Sequence, residues 1–157
     1  MDINKCVKDA FSVIGKEGST DDGDGFVNRL WAEGTLHLNE VAHLAEKDDD
    51  GTMLGIWGLM RNFSRSFGPW EDGFTKGLYL AGVEVVAGAE PPAGWVKWTI
   101  PSFEYLYAKV EDDYQKSFSS VLKYIEDTDL NLVGAVFDYT CLEENGQQYI
   151  FAPIRRL

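Results

Sequence analysis

The sequence predicts an α+β fold built from two similar halves, in which antiparallel strands carry helices on one face. Short alternating apolar runs, bounded by Gly and Pro turns, are typical of strands, and longer runs have helical spacing. The order strand, helix, strand, strand occurs twice, in residues 1–88 and again in 94–157 of a single 157-residue domain. Two such halves leave their uncovered sheet faces to meet in a central groove on a pseudo-twofold axis.

The first half begins with a predicted strand within residues 5–19, where apolar residues precede a Gly-containing turn. Helical spacing follows over 26–47, and a break near Gly34 indicates one kinked helix or two short ones. Strands are predicted at 52–60 and 77–86. The aromatic loop between them is either a lid over a cleft or a segment packed against the edge of the sheet.

The second half is organised around residues 94–110, which we predict to be one strand buried on both faces. One of its faces is aromatic and bears hydroxyl groups, and the other is aliphatic. A helix capped by Asp112 or Asp113 follows and continues to Asp127 with a clean apolar stripe. A strand at 130–142 and a last strand from residue 147 are joined by an Asn-Gly hairpin turn.

The charge of the chain restricts its partners. There are 14 Lys and Arg residues against 26 Asp and Glu residues, a net charge of −12. The average field repels nucleic-acid phosphates and anionic membranes and attracts cations, so we expect neither nucleic acid nor membrane as a direct partner. No apolar run has transmembrane length, and the amino terminus lacks the apolar core of a signal peptide, which predicts a cytoplasmic location.

No motif for metal, cofactor or covalent catalysis stands out. Cys6 and Cys141 lack paired metal-ligand spacing, and His37 and His43 are six residues apart and do not share a helix face. The acidic loop at 20–25 lacks the spaced ligands of an EF-hand. A nucleophile triad and a phosphate loop are also missing, so we predict no metal site, no cofactor and no catalytic residue.

Two carboxylates interrupt apolar strands. Glu84 lies in the predicted strand 77–86, and Asp138 lies between Phe137 and Tyr139 in the strand 130–142. A carboxylate in such a position needs a partner, an edge location or a functional reason. Because strand residues alternate between faces, Asp138 and Tyr139 point to opposite faces unless a bulge intervenes.

Five segments, in their order and spacing, resemble the GyrI-like family, the effector-binding domain also found fused to AraC-type and multidrug-responsive regulators. They are Val13-Ile14-Gly15, residues 55–60, residues 79–85, residues 100–105 and residues 149–154. The resemblance covers nearly the whole chain, and stand-alone members encoded on integron cassettes are the most similar. It implies a duplicated α+β fold whose central cleft, lined by aromatic and acidic side chains, accepts cationic amphiphilic drugs or dyes.

The resemblance also implies the site residues. The family's acidic position before the final hairpin falls on Asp138, where Glu is common in the family, and Glu84 is the second candidate. The aromatic lining is expected from six residues: Trp57, Tyr105, Tyr107, Phe137, Tyr139 and Tyr149. A desolvated carboxylate attracts a delocalised cation, and aromatic faces add cation–π attraction.

Three classes of function follow. The first is a binding module that senses or sequesters cationic amphiphilic or aromatic compounds, and it needs only the groove, the rings and one carboxylate. The second is a hydrolase of electrophilic toxic small molecules, as some relatives are, in which a buried carboxylate and a Tyr act as base and acid. The third is a protein-interaction module, such as a gyrase inhibitor.

No helix-turn-helix segment is present, so regulation of transcription would require a partner chain.

Overall fold

The computed structural model describes all 157 residues as one sheet flanked by helices. The strands are β1 (Asn4–Lys8), β2 (Phe11–Ser19), β3 (Ile56–Arg61), β4 (Leu78–Val85), β5 (Val96–Ile100), β6 (Phe103–Lys109), β7 (Phe137–Cys141) and β8 (Gln147–Arg156). The helices are α1 (Phe26–Leu36), the single turn α2 (Glu71–Phe74) and α3 (Tyr114–Asp127). None of them is both long and apolar enough to cross a membrane.

All eight strands form one antiparallel sheet in the order β1-β6-β8-β7-β3-β4-β2-β5. The elements β2-α1-β3-β4 and β6-α3-β7-β8 repeat the same order, and β3 pairs with β7 where the two halves meet. The predicted α+β class is therefore confirmed, with the strands of both halves joined in one curled sheet.

The strand predicted over residues 5–19 is wrong, because the structure divides it into β1 and β2. β1 pairs with β6 of the second half, whereas β2 pairs with β4 and β5. Residues 94–110 are likewise divided into β5 and β6, since Pro101 has no N–H with which to continue a strand ladder. In both segments a two-residue break lets the chain change its pairing partner.

These partner changes curl the sheet. β1 and β2 lie near opposite ends of the strand order, yet only Asp9 and Ala10 separate them in the chain. The two breaks meet at one corner, where the Ala10 N–H donates to Ser102 Oγ at 2.9 Å. The sheet is consequently curled into a half-barrel, in which β1 and β2, from opposite ends of the strand order, approach each other at this corner.

The convex face of the half-barrel carries the helices and an aliphatic core. Under α1 and the two 3₁₀ turns that follow it, Ile14, Val41 and Val83 are buried. Under α3, the buried residues Val121 and Ile125 continue the apolar stripe that the sequence predicts. Asp113 caps α3 by accepting a hydrogen bond from the Gln115 N–H at 2.8 Å.

The strands β2 and β4 approach closely at a pair of glycines. Gly15 lies opposite Gly82 in the ladder. A Cβ on Gly15 would lie 2.3 Å from the carbonyl oxygen of Ala81, and one on Gly82 would lie 2.4 Å from that of Ile14. Only glycine fits at these two paired positions without moving the strands apart.

Candidate ligand-binding groove

The concave face of the sheet carries a cluster of aromatic rings centred on Trp57. Its ring centroid lies 4.7 Å from that of Tyr139, 5.1 Å from Phe11 and 5.3 Å from Phe151. These rings come from β2, β3, β7 and β8. Side chains along a strand alternate between the two faces of the sheet, and these four residues all point to the concave face. The curl of the sheet brings them together, and Trp57 itself is only 2% exposed.

Glu84 is the carboxylate of this face. Its Oε1 accepts a hydrogen bond from Trp57 Nε1 at 3.0 Å, and its Oε2 lies 3.3 Å from the ammonium of Lys8. The side chain is 17% exposed, so most of its surroundings are protein. The structure thus supplies both partners that a carboxylate in an apolar strand requires.

An open cavity of about 300 Å³ borders this carboxylate. It is lined by Lys8, Leu54, Trp57, Glu84, Tyr139 and Phe151. The Tyr139 hydroxyl donates to the carbonyl oxygen of Leu54 at 2.5 Å, which fixes the ring as one wall. The cavity therefore offers aromatic faces, one carboxylate and an opening to solvent, and its volume suits a small organic molecule.

Tyr105 lies in the core beneath the groove, with its ring against those of Phe137 and Phe151, and is fully buried. Its hydroxyl is buried without a hydrogen-bond partner. Burial raises the pKa of this phenol above its ordinary value, and the nearby Cys6 and Glu84 raise it further. The phenol therefore stays neutral and keeps a free O–H donor, which is an uncommon condition for a buried polar group.

The other predicted ring residues lie along the same face. Phe137 is buried at 6.4 Å from Trp57, between ring centroids. Tyr107 stacks on Phe151 at 5.5 Å and lies 6.4 Å from Tyr149. The groove is thus a continuous aromatic row that extends from Trp57 toward the β7–β8 hairpin.

Asp138 lies on the opposite, convex face. The pairing of β7 with β8 is regular from Phe137 to Cys141, so no bulge brings Asp138 and Tyr139 to one side. The structure therefore brings together seven of the eight predicted site residues, namely Glu84, Trp57, Tyr105, Tyr107, Phe137, Tyr139 and Tyr149, and places Asp138 apart from them.

Asp138 has its own polar surroundings between the two halves. The Tyr114 hydroxyl of α3 donates to its Oδ1 at 2.5 Å. Burial raises the pKa of the Asp138 carboxyl to about 6, and the hydrogen bond from Tyr114 offsets part of this effect. The buried Tyr79, whose hydroxyl accepts from Trp31 Nε1 at 3.0 Å, faces the carboxylate from the α1 side.

The aromatic loop between β3 and β4 packs on both faces of the sheet. Phe67 joins the concave core, with its ring 6.1 Å from that of Trp98. Trp70 and Phe74 line a separate apolar cavity of about 260 Å³ against Tyr114 and Phe118 of α3. The loop is thus packed against the protein, although on the faces of the sheet and not at the edge that the sequence suggested.

Lys8, Phe11 and Phe151 belong to the groove, although the sequence reasoning did not select them. Phe151 was predictable, because it lies two residues after Tyr149 in the same strand and therefore points to the same face of the sheet. Lys8 is 76 residues from Glu84 in the chain, but it lies only three residues before Phe11 of β2, which pairs with β4 and so brings it to Glu84. No group of three or more His, Cys, Asp or Glu side chains is arranged to hold a metal ion.

No family model matches the sequence, and no curated protein matches it either. Solved structures do match. SAV2435 bound to tetraphenylphosphonium has a TM-score of 0.66 at 19% identity, over 99% of this chain and 94% of that chain. An integron cassette protein from the mobile metagenome of Vibrio cholerae has a TM-score of 0.59 at 14% identity, over 98% and 95%.

EcmrR, solved in a complex with DNA, has a TM-score of 0.66 at 9% identity. The match covers 99% of this chain and 58% of EcmrR, so this chain corresponds to part of that protein. At these identities the likeness concerns the fold. It confirms the α+β fold that the resemblance to the GyrI-like family predicts.

Proposed function

We propose that this protein is a GyrI-like binding module for cationic amphiphilic or aromatic small molecules, with Glu84 as the carboxylate that holds the positive charge. One observation carries the proposal. The carboxylate lies among aromatic rings beside an open cavity of about 300 Å³, and an organic cation, the Lys8 ammonium, already contacts it there. The groove is therefore built from the groups that bind cations in proteins.

The ring cluster determines which cations fit. Each ring face adjacent to a cation contributes about 0.5–2 kcal/mol, and the apolar ring surface adds to this when the ligand buries its own aromatic groups. Aromatic faces impose few directional demands, whereas the buried carboxylate demands a positive charge. We infer broad specificity for shape combined with strict specificity for charge.

The solved structures support this class of ligand. SAV2435, which shares the fold, was solved with tetraphenylphosphonium, a delocalised organic cation. EcmrR, which also shares it, was solved on DNA. We therefore extend the proposal to drug sensing or sequestration in the cytoplasm, with any effect on transcription exerted through a partner chain.

A role of Asp138 as the ligand carboxylate is not part of the proposal, since its side chain lies on the convex face.

Titration with tetraphenylphosphonium, followed by quenching of tryptophan fluorescence, tests the proposal. We expect micromolar affinity, about −8 kcal/mol. Glu84→Gln keeps the shape of the side chain but removes its charge, so it should weaken binding at least tenfold, about 1.4 kcal/mol. Asp138→Asn is the matched control on the other face and should bind like the parent.

Two further measurements separate groove binding from surface attraction. A neutral analogue, triphenylphosphine oxide, should bind at least tenfold more weakly than the cation, and moderate salt should change the affinity of the cation little, because a buried pair is poorly screened. Absence of quenching by any cation in a folded protein would refute the proposal. Loss of binding in Asp138→Asn alone would show that the ligand site lies on the convex face and not in the groove.

One observation favours a second candidate function. Tyr105 keeps a free buried O–H beneath the groove, near enough to Glu84 for that carboxylate to raise the pKa of the phenol, and the two would act as acid and base on an electrophilic small molecule that enters between them. Incubation with reactive epoxides and product detection by mass spectrometry tests this candidate. Hydrolysis that is lost in both Tyr105→Phe and Glu84→Gln would establish it, and the absence of turnover leaves the binding function.

A further inference from the structure

Three tryptophans share an unusual arrangement, in which the indole N–H donates to a glutamate while a basic group lies against the ring. Trp57 donates to Glu84, Trp98 to Glu17 and Trp95 to Glu40, at 3.0, 2.8 and 2.9 Å. The cationic groups belong to the chain itself. They are Lys8 at 5.9 Å from the Trp57 ring, Arg61 at 4.0 Å from Trp98 and Lys16 at 4.3 Å from Trp95.

Two of these cations are fixed inside the protein. The side chains of Arg61 and Lys16 are each 9% exposed. Arg61 also lies 4.8 Å from the ring of Phe67, and Lys16 donates to the carbonyl oxygen of Gly94 at 2.8 Å. Such enclosed groups are parts of the core.

Lys8 differs from both in its surroundings. Its side chain is 30% exposed, and it lines the open groove cavity. It is the last residue of β1, an edge strand of five residues that pairs only with β6. Rotation of its side chain toward solvent would therefore free Glu84 without breaking a strand ladder.

The ammonium of Lys8 also makes the contacts expected of a bound ligand. It lies 3.3 Å from Glu84 Oε2 and 4.4 Å from the centroid of the Phe11 ring. These are a charge-assisted contact with the carboxylate and a cation–π contact with a ring of the cluster. A cationic ligand that uses Glu84 must take over this position.

We propose that Lys8 is an internal competitor that sets the affinity threshold of the groove: its ammonium occupies the cation subsite, and a ligand must displace it. This inference rests on the proposed function and deepens it. A tethered group has an effective concentration on the order of millimolar. This competition raises the apparent dissociation constant of every cation that needs the subsite by the same factor. A simple alkylammonium, which binds through its charge alone, then falls below measurable affinity, whereas a cation that also covers the aromatic rings still displaces Lys8.

Lys8→Met tests this inference, because methionine keeps an unbranched side chain without the charge. Lys5→Met is the matched control, since Lys5 is exposed on the same strand but pairs at a position of opposite parity. We expect Lys8→Met to bind tetraphenylphosphonium at least tenfold more tightly than the parent and to acquire measurable affinity for n-butylammonium. Lys5→Met should stay within twofold of the parent, and Lys8→Arg, which retains the charge, should not show the gain.

A measurement on the parent protein makes the test independent of the stability of the variants. Reductive methylation followed by mass spectrometry reports how accessible each lysine is. Without ligand, Lys8 should react more slowly than Lys5, and saturating tetraphenylphosphonium should accelerate the reaction of Lys8 alone. Slower reaction of Lys8 in the presence of ligand would overturn the inference.

The outcomes separate this inference from the proposed function. If neither the parent nor any variant binds a cation, the binding function itself fails. If the parent binds in a manner that depends on Glu84 while Lys8→Met binds equally or more weakly, only the role of Lys8 as a competitor fails.

Discussion

Asp138→Asn should stabilise the protein at neutral and alkaline pH and leave its stability almost unchanged in acid. The carboxyl lies on the convex face, and its burial raises the pKa from 3.8 to about 6 in the folded protein. The folded state therefore holds the proton more tightly than the unfolded chain. This contribution to stability is fully present below pH 4 and is lost as the pH rises through about 6.

The size of the effect follows from the shift. A difference of about two pKa units corresponds to roughly 2–3 kcal/mol, at 1.36 kcal/mol per unit. The other titratable groups that face Asp138 are Tyr79 and Tyr114, and burial raises both of their pKa values, so they stay neutral across this range. Asparagine cannot ionise, and its amide oxygen can still accept the hydrogen bond from Tyr114.

Urea unfolding of the parent and of Asp138→Asn at pH 3.5 and pH 8 measures the effect. We expect the variant to gain about 1–3 kcal/mol relative to the parent at pH 8 and much less at pH 3.5, which lies below the pKa of the unfolded carboxyl. Asp2→Asn, at an exposed position, should show no such pH-dependent difference. A difference that is equal at both pH values, or a variant that is less stable at pH 8, would refute the argument from burial.

Three other substitutions test the packing and the electrostatics. Tyr114→Phe removes the hydrogen bond that lowers the pKa of Asp138, so NMR titration of the carboxyl carbon should show a higher pKa; an unchanged value would contradict the contact. Gly82→Ala places a Cβ 2.4 Å from the carbonyl oxygen of Ile14 and should cost about 1–3 kcal/mol in urea unfolding. Leu59→Ala empties a fully buried position in the concave core and should cost about 2–5 kcal/mol, measured by thermal denaturation together with urea unfolding; a loss below 1 kcal/mol would contradict the packing.

Elements with local signals were predictable from the sequence. α3 has a capping aspartate, Asp113, and a regular apolar stripe, and it begins at the next residue. The final hairpin has Asn145 and Gly146, whose positive φ values of 58° and 82° suit these two residue types. In both cases the information lies within a few residues of the feature.

Features that depend on distant pairing were not predictable. Residues 5–19 look like one strand because their apolar pattern is continuous, and only the pairing of β1 with β6 divides them. The proline at position 101 was a usable signal for the division of 94–110, since it has no N–H to donate. A local apolar pattern does not show which strand of the other half will pair with a given strand.

The same distinction applies to the site. Alternation along the strand correctly separates Asp138 from Tyr139, but the sequence does not state which face is concave. Glu84 becomes the groove carboxylate only when β4 is placed beside β3, where Trp57 can donate to it. The approach of Lys8 depends on the pairing of β2 with β4 and has no local signal.

The exchange of edge strands means that the two halves are not separable modules. β1 belongs to the first half of the chain but lies beside β6 of the second, and β5 belongs to the second half but lies beside β2 of the first. A fragment ending near residue 90 would leave β2 with an unpaired edge and β1 without a partner, and the complementary fragment would have the same defects at β6 and β5. A folded chain that is cut between β4 and β5 should therefore remain one particle. The same two fragments, if they are produced separately, should form the sheet only when they are mixed.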